Sequence, residues 1–286
     1  MASPAPLRYQ QPMTDPLIRI ADALETLAAR PLPRPEADAA TGDWFVWHDR
    51  DLAAVPPPRL TPLGLYAGVD AQKTQLHENL RRHAAGLPAH DVLLWGARGM
   101  GKSSLVRAAH GALLADGNDI ALVQLAAPDL ADLSRLFERL APVRRRFTIF
   151  LDDLTLDGDG GHVHALRSLL DGGVMARPDH VRLVVTSNRR NLVPRSHGVA
   201  DHDAVNPRDV ADDQLALADR FGLRLGFHAC DQADYLTMCA NYAGAHGLAF
   251  DPAAALAWAA GRGARSGRVA WQFTVETAGA AGVALA

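Results

Sequence analysis

The chain is short of lysine. Its 286 residues include 29 basic side chains, yet only two are lysines, Lys73 and Lys102. It is short of cysteine as well. Cys230 and Cys239 stand nine positions apart without a Cys-x-x-Cys pairing, which argues against a disulfide scaffold or a cysteine metal site and leaves two buried apolar thiols. No charge of one sign dominates: 32 acidic residues give a formal net charge of −3, so there is no bulk signature for nucleic acid or membrane surfaces. No run of about 18 apolar residues is present to span a bilayer. A secretory pattern is missing too, because Thr14 and Asp15 interrupt the first stretch and Arg19, Asp22 and Glu25 follow. The expected location is therefore cytoplasmic. The histidines show ligand spacing only at His162-x-His164, which follows a Gly-rich turn and reads as the exposed start of a helix.

One of the two lysines falls where chemistry needs it. Gly96-Ala97-Arg98-Gly99-Met100-Gly101-Lys102-Ser103 fits the phosphate-loop pattern G-x-x-x-x-G-K-[ST]. The glycines let the backbone turn tightly and aim its N–H groups at a phosphate chain. Lys102 supplies a compact positive charge to the β- and γ-phosphates, which a planar guanidinium does not replace. The Ser103 hydroxyl is placed to bind Mg²⁺. The context agrees: Val92 to Trp95 is a short apolar run expected of a buried strand, and Ser104 to Leu114 carries apolar residues at helical spacing until Gly117-Asn118. A helix beginning at the loop adds its dipole and free N–H groups to phosphate binding.

Along the chain, residues 1–61 read as an N-terminal extension, proline-rich at both ends, with Leu17, Ile20, Leu24 and Leu27 on one helical face. Trp44, Phe45 and Trp47 form an aromatic cluster expected to dock on the core. From Leu63 the pattern alternates. Helices are expected over 71–85, 102–114, 129–140 (with Asp129 near its N-cap) and 162–170, and strands over 92–95, 120–125, 148–151, 181–186 and 223–227. Residues 191–214 read as a long polar loop, and 232–245, 252–260 and 267–280 as helices. Alternation of this kind predicts an α/β domain over 62–229 with a five-stranded parallel sheet between helical layers, followed by a small helical domain over 230–286.

A second half of the site follows from the strand ends. Phe147 to Leu151 is an apolar strand ending in Asp152-Asp153, and the carboxyl ends of parallel strands are where open α/β sheets bind ligands. Asp152 is the expected partner of Mg²⁺, and Asp153 is placed to orient or deprotonate an attacking water. Asn188, at the end of the next strand, offers an amide to the γ-phosphate or to that water.

The order of these parts resembles the AAA+ ATPase superfamily from about residue 62 to residue 280, and within it a bacterial branch known only as an ATP-binding domain of unknown function. The resemblance rests on Gly-Ala-Arg-Gly-Met-Gly-Lys-Ser-Ser (96–104), Leu-Asp-Asp-Leu (151–154), Thr-Ser-Asn-Arg-Arg (186–190), Ala-Asp-Arg-Phe-Gly-Leu (218–223) and Ser-Gly-Arg-Val-Ala (266–270). Gly68-Val69-Asp70 resembles the segment that lies against the adenine in that superfamily, which assigns Val69 to the base. The same resemblance implies that Asn188 is the sensor-1 residue. Arg220 would be the finger reaching a neighbour's γ-phosphate, and Arg268 the lid arginine contacting nucleotide in its own subunit. Two departures stand out. The strand end carries Asp-Asp where most members have Asp-Glu, and Ala126-Ala127-Pro128-Asp129 lacks the aromatic residue of protein-threading rings.

The expected protein is an AAA+ type P-loop ATPase using ATP and Mg²⁺. Phosphate contacts come from Gly96, Ala97, Arg98, Gly99, Met100, Gly101, Lys102, Ser103 and Ser104, and the metal is held by Ser103 and Asp152. Lys102, Asp152, Asp153, Asn188 and Arg220 carry the chemistry. A nucleotide-dependent homo-oligomer without a membrane role is implied, acting on a client protein or nucleic acid. Two other readings stay open: a nucleotide-gated binding module with little hydrolysis, favoured by Asp153, and a nucleic-acid loader using Arg144-Arg145-Arg146 or Arg189-Arg190.

Overall fold

Among the described residues, seven strands form one sheet in the order β2-β1-β4-β5-β6-β3-β7. They are β1 (Trp44–His48), β2 (Asp51–Ala54), β3 (Val92–Gly96), β4 (Ile120–Leu125), β5 (Arg146–Leu151), β6 (Val181–Ser187) and β7 (Leu223–Phe227). The computed structural model describes residues 38–154, 166–167, 170, 177–188 and 216–285. The helical face of residues 17–27, the pair His162 and His164, Arg189-Arg190 and the loop 191–214 lie outside the described residues.

The strands β3 to β7 are the five expected from apolar runs, and their mutual pairings are all parallel. Both faces of the sheet are covered, which is why these strands read as continuous apolar runs. Successive side chains point to opposite faces. Val92, Leu94, Leu122, Phe150 and Val184 join one buried cluster, and Leu93, Val123, Ile149, Leu183 and Val185 join the other. Each such side chain contributes about 1.5–3 kcal/mol on burial. The first face packs α1 (Asp70–Ala84) and α2 (Lys102–Ala115); the second packs α3 (Leu133–Leu140). The tail forms α4 (Gln232–Ala245), α5 (Pro252–Gly261) and α6 (Gly267–Ala281), whose Tyr235, Met238, Ala259 and Phe273 extend the first cluster. Side chains cap all three: Asp231 accepts from Asp234 N, Asp251 from Ala253 N and Ser266 from Val269 N. Cys239 is buried and Cys230 half-buried, both as free thiols.

Three expectations need correction. Among the described residues the sheet has seven strands rather than five, because residues 44–54 enter it instead of docking on it. The strand β1 pairs in parallel with β4, and β2 returns antiparallel through a turn in which Asp49 and Arg50 take φ of 50° and 64°. Trp44, Phe45 and Trp47 favour a strand, and the doubly covered sheet lets Trp44 join one cluster while Phe45 and Trp47 join the other. The boundary placed at residue 61 therefore cuts off part of the sheet. Third, the helix expected from Asp129 is a 3₁₀ segment over Ala127–Asp132, and α3 starts only at Leu133. Asp129 turns toward His48 (3.4 Å) and Asp132 accepts from Arg50 Nε (3.1 Å), so these carboxylates tie down the β1–β2 turn instead of capping a helix.

Arg145 anchors the same hairpin from below. It is 7% exposed, pairs with Asp43 (3.0 Å) and Asp119 (2.9 Å), and donates to the Gly42 and Ile120 carbonyls. The arginine run 144–146 is thus not a single solvated face.

Candidate functional site

The site starts at Gly96, the last residue of β3. Its φ is 121°, and a Cβ there would sit 2.1 Å from the Phe227 carbonyl oxygen of β7. Only glycine lets the two strand ends approach this closely. Ala97 N then donates to that same oxygen at 2.7 Å, which fixes where the loop leaves the sheet. The loop closes at Gly101, the N-cap of α2 in the left-handed region at φ 84°. No side chain caps α2, so its first N–H groups face the cleft as a ready anion site.

Lys102 follows directly and is 5% exposed. Its ammonium donates to Gly96 O (3.0 Å), Ala97 O (2.9 Å) and Asn188 Oδ1 (2.9 Å). Burial pulls its pKa below the ordinary lysine value, while Asp153 and Asp152 push the other way.

The facing wall comes from the carboxyl ends of β5 and β6. Ser103 Oγ donates to Asp152 Oδ1, and Thr186 Oγ1 donates to the same oxygen at 2.7 Å. Arg107 Nη1 of α2 stands 3.7 Å from Asp152 Oδ2. Asp153 takes a left-handed backbone, φ 55°, uncommon for a residue with a side chain. Its N–H donates to Thr186 Oγ1 (2.8 Å), and its carboxylate accepts from the Asn188 amide. Asn188 therefore joins Lys102 to Asp153, one bond through its carbonyl oxygen and one through its amide nitrogen. That amide orientation is the one its two neighbours require, a cation donating and a carboxylate accepting.

These groups line one cleft of about 1010 Å³. It brings together Val69, Arg98 to Ser104, Asp152, Asp153, Asn188 and Arg268. Gly96 and Ala97 lie behind the loop as acceptors for Lys102. Arg268 is exposed, and its backbone N–H donates to Gly99 O at 3.1 Å, which fastens the start of α6 to the phosphate loop. Arg220 is not among the cleft-lining residues; its Nη1 donates to Ala216 O at 2.6 Å.

Sequence reading missed several lining residues. Thr186 sits within the quoted Thr-Ser-Asn stretch but received no role, although a hydroxyl ending an apolar strand beside an acidic pair is a usable signal. Tyr66 lies three positions before Val69 and is 8% exposed, with burial pushing its phenol up to about 12. Tyr242 and Trp271, from α4 and α6, meet edge to face at 5.5 Å and form an aromatic wall that helical spacing alone reads as ordinary core.

No curated protein matches the chain in sequence. Solved structures do match its shape. The Holliday junction branch migration motor RuvB of Thermotoga maritima is 17% identical with a TM-score of 0.50, over 79% of this chain and 67% of that one. The ORC1 protein of Aeropyrum pernix, solved in complex with DNA, is 18% identical with a TM-score of 0.52, over 79% of this chain and 62% of that one. The chain thus spans about two thirds of their length. At such identities the likeness concerns the fold, which is that of the AAA+ P-loop ATPases. A family model described as protein of unknown function (DUF815) matches residues 40–281. Since that match takes in the sheet, the phosphate loop, the paired aspartates and all three tail helices, the chain belongs to the DUF815 family and has the AAA+ P-loop fold.

Proposed function

We propose that this protein binds ATP in the cleft and hydrolyses it with Mg²⁺, using the nucleotide state to set its conformation and assembly. The observation that carries this reading is the convergence of Lys102 and Ser103, at the uncapped start of α2, with Asp152, Asp153 and Asn188 from two strand ends in one cleft. The loop N–H groups and Lys102 cradle the phosphates, and Val69 and the aromatic wall of Tyr242 and Trp271 face the base. The all-oxygen pair Ser103 Oγ and Asp152 Oδ1, already joined by a hydrogen bond, suits a hard cation that keeps water and phosphate oxygens as its remaining ligands. Bound there, Mg²⁺ would neutralise charge developing on the β- and γ-phosphates. Asp153 accepts the proton of the attacking water, and Asn188 fixes the angle of that carboxylate. Catalysis of this kind is mainly positioning and charge stabilisation.

Arg268 and α6 act as a lid, because the start of α6 is fastened to Gly99. Arg220, away from its own cleft, serves a neighbouring subunit in a nucleotide-dependent homo-oligomer. The nucleic-acid loader reading draws on RuvB, a branch migration motor, and on ORC1, solved with DNA. It loses support where Arg145 is buried among Asp43 and Asp119. A binding module with little hydrolysis keeps one observation in its favour: the short Asp153 carboxylate is already held by Asn188.

The test measures affinity for an ATP analogue, single-turnover hydrolysis and mass with and without the analogue. Lys102→Ala should weaken binding about 100-fold or more, as expected for losing a charge-assisted contact in a buried site. Wild-type-like affinity in that variant would overturn the proposal. Asp153→Asn should abolish turnover; binding without turnover in the wild type at every protein concentration would select the module instead.

A further inference from the structure

We propose that Thr186 is a positioning residue that sets the metal-facing carboxylate and the water-facing carboxylate together. This rests on the ATP-and-Mg²⁺ reading of the cleft. A threonine hydroxyl has one proton to donate and lone pairs to accept. Here the proton goes to Asp152 Oδ1 at 2.7 Å, and a lone pair takes the N–H of Asp153 at 2.8 Å. One oxygen therefore holds the side chain of the first aspartate and the main chain of the second.

The need for such a device is visible in the backbone. Pairing between β5 and β6 is regular up to Leu151 against Val185, and then the chain leaves the ladder. Asp153 takes φ of 55°, a left-handed conformation uncommon for a residue with a Cβ, and local hydrogen bonds hold it there. Thr186 supplies both holds: its hydroxyl accepts from Asp153 N, and its carbonyl accepts from Leu154 N at 2.8 Å. The left-handed turn brings the Asp153 carboxylate to the Asn188 amide and the Lys102 network.

On the other aspartate, the Thr186 proton and the Ser103 proton arrive at the same oxygen, Oδ1. Oδ2 is left facing Arg107 at 3.7 Å. With Thr186 in place, Asp152 presents Oδ1 on the Ser103 side, where a cation would be shared between them. Without that bond, the carboxylate is free to rotate toward Arg107, an opposite charge within Coulombic reach. Thr186 is 1% exposed, which shields both of its bonds from exchange with water. Valine would match its shape and supply neither bond.

The test compares Thr186→Ser, Thr186→Ala and Thr186→Val in the full chain. Serine and alanine both lose the methyl group and differ only in the hydroxyl. Affinity for a fluorescent ATP analogue is measured with Mg²⁺ and with EDTA, and thermal unfolding is followed alongside. The wild type should bind more tightly with Mg²⁺. Alanine and valine should reduce that Mg²⁺ enhancement about 10-fold, the scale of a lost hydrogen bond to a charged group, while the EDTA affinity stays within about twofold. Serine should restore the enhancement. An unchanged enhancement in the alanine and valine variants would overturn the inference. So would an equal loss with and without Mg²⁺, or unfolding of both variants, which would give the hydroxyl to the fold. A wild type that binds the analogue without any Mg²⁺ enhancement would also overturn it. A wild type that binds no analogue at all would overturn the underlying nucleotide reading, a result separate from these.

Discussion

One wall of the cleft, Arg98 to Ser104 on the loop that leaves the sheet at Gly96, is a single stretch of chain, whereas the facing wall gathers Asp152, Asp153, Thr186 and Asn188 from the ends of two strands. The first is shaped by backbone stereochemistry: Gly96 at φ 121° and Gly101 at φ 84° hold conformations that side chains resist. The second is shaped by side-chain hydrogen bonds, with Thr186 on β6 and Asn188 just beyond its end setting two aspartates that follow β5. A wall made of backbone resists change until it breaks. A wall made of side-chain bonds can be retuned one group at a time.

The sharpest way to break this contrast is Gly96→Ala. The added Cβ would fall 2.1 Å from a main-chain oxygen that no rotamer change can move. We expect a loss of at least about 3 kcal/mol in stability by urea unfolding, together with loss of nucleotide binding. Near-wild-type behaviour would show that the loop yields like the opposite wall.

Asn188→Ala probes that opposite wall. It removes one acceptor of Lys102 and the amide that holds Asp153. Single-turnover hydrolysis should fall about 10- to 100-fold, somewhat less than for a dedicated oxyanion donor. Affinity should change about threefold or less, since Lys102 keeps its two carbonyl partners. A collapse of binding as deep as that of the glycine variant would mean that the two walls are one unit.

The most gradual expected effect comes from pH and concerns the helices behind the walls. His83 of α1 shares a hydrogen bond with Phe147 O at 2.9 Å, and His110 of α2 with Asp43 O at 3.2 Å. Burial lowers both imidazoles from 6.5 to about 4. The folded state therefore keeps them neutral where the unfolded chain already binds protons. Their contribution is complete above pH 6.5 and is lost as pH falls toward 4. The melting temperature should drop across that interval, and His110→Gln should flatten the drop. An unchanged slope in that variant would remove His110 from the explanation.

How much of this was legible in the sequence follows the same division. The phosphate loop, α2 and the strands β3 to β7 could be read because their signals are local: glycines at fixed spacing and apolar runs closed by polar ends. Asp152, Asp153 and Asn188 could be read because each ends such a run. Thr186 was not, since its role exists only once β5 and β6 are paired. The strand β1 was misread for a related reason. Trp44, Phe45 and Trp47 announce burial, but their place beside β4 is a long-range pairing that no spacing encodes. Asp129 misled in the opposite sense, because a good capping residue bonds to a distant turn instead.

The scarcity of lysine has a chemical consequence. This protein presents two ε-amines in all, and they differ in surroundings. Lys73 is held by Asp70 at 2.7 Å and is half-buried on α1, while Lys102 lies at the floor of the cleft and is 5% exposed. Acylating reagents in bulk solvent therefore meet Lys73 first. A nucleotide analogue carrying an aldehyde or active ester on its phosphate end would deliver its electrophile to Lys102, whose pKa burial pulls below the ordinary lysine value. Covalent labelling of that single lysine would then report occupancy of the cleft, an assay that few proteins with ordinary lysine content would permit.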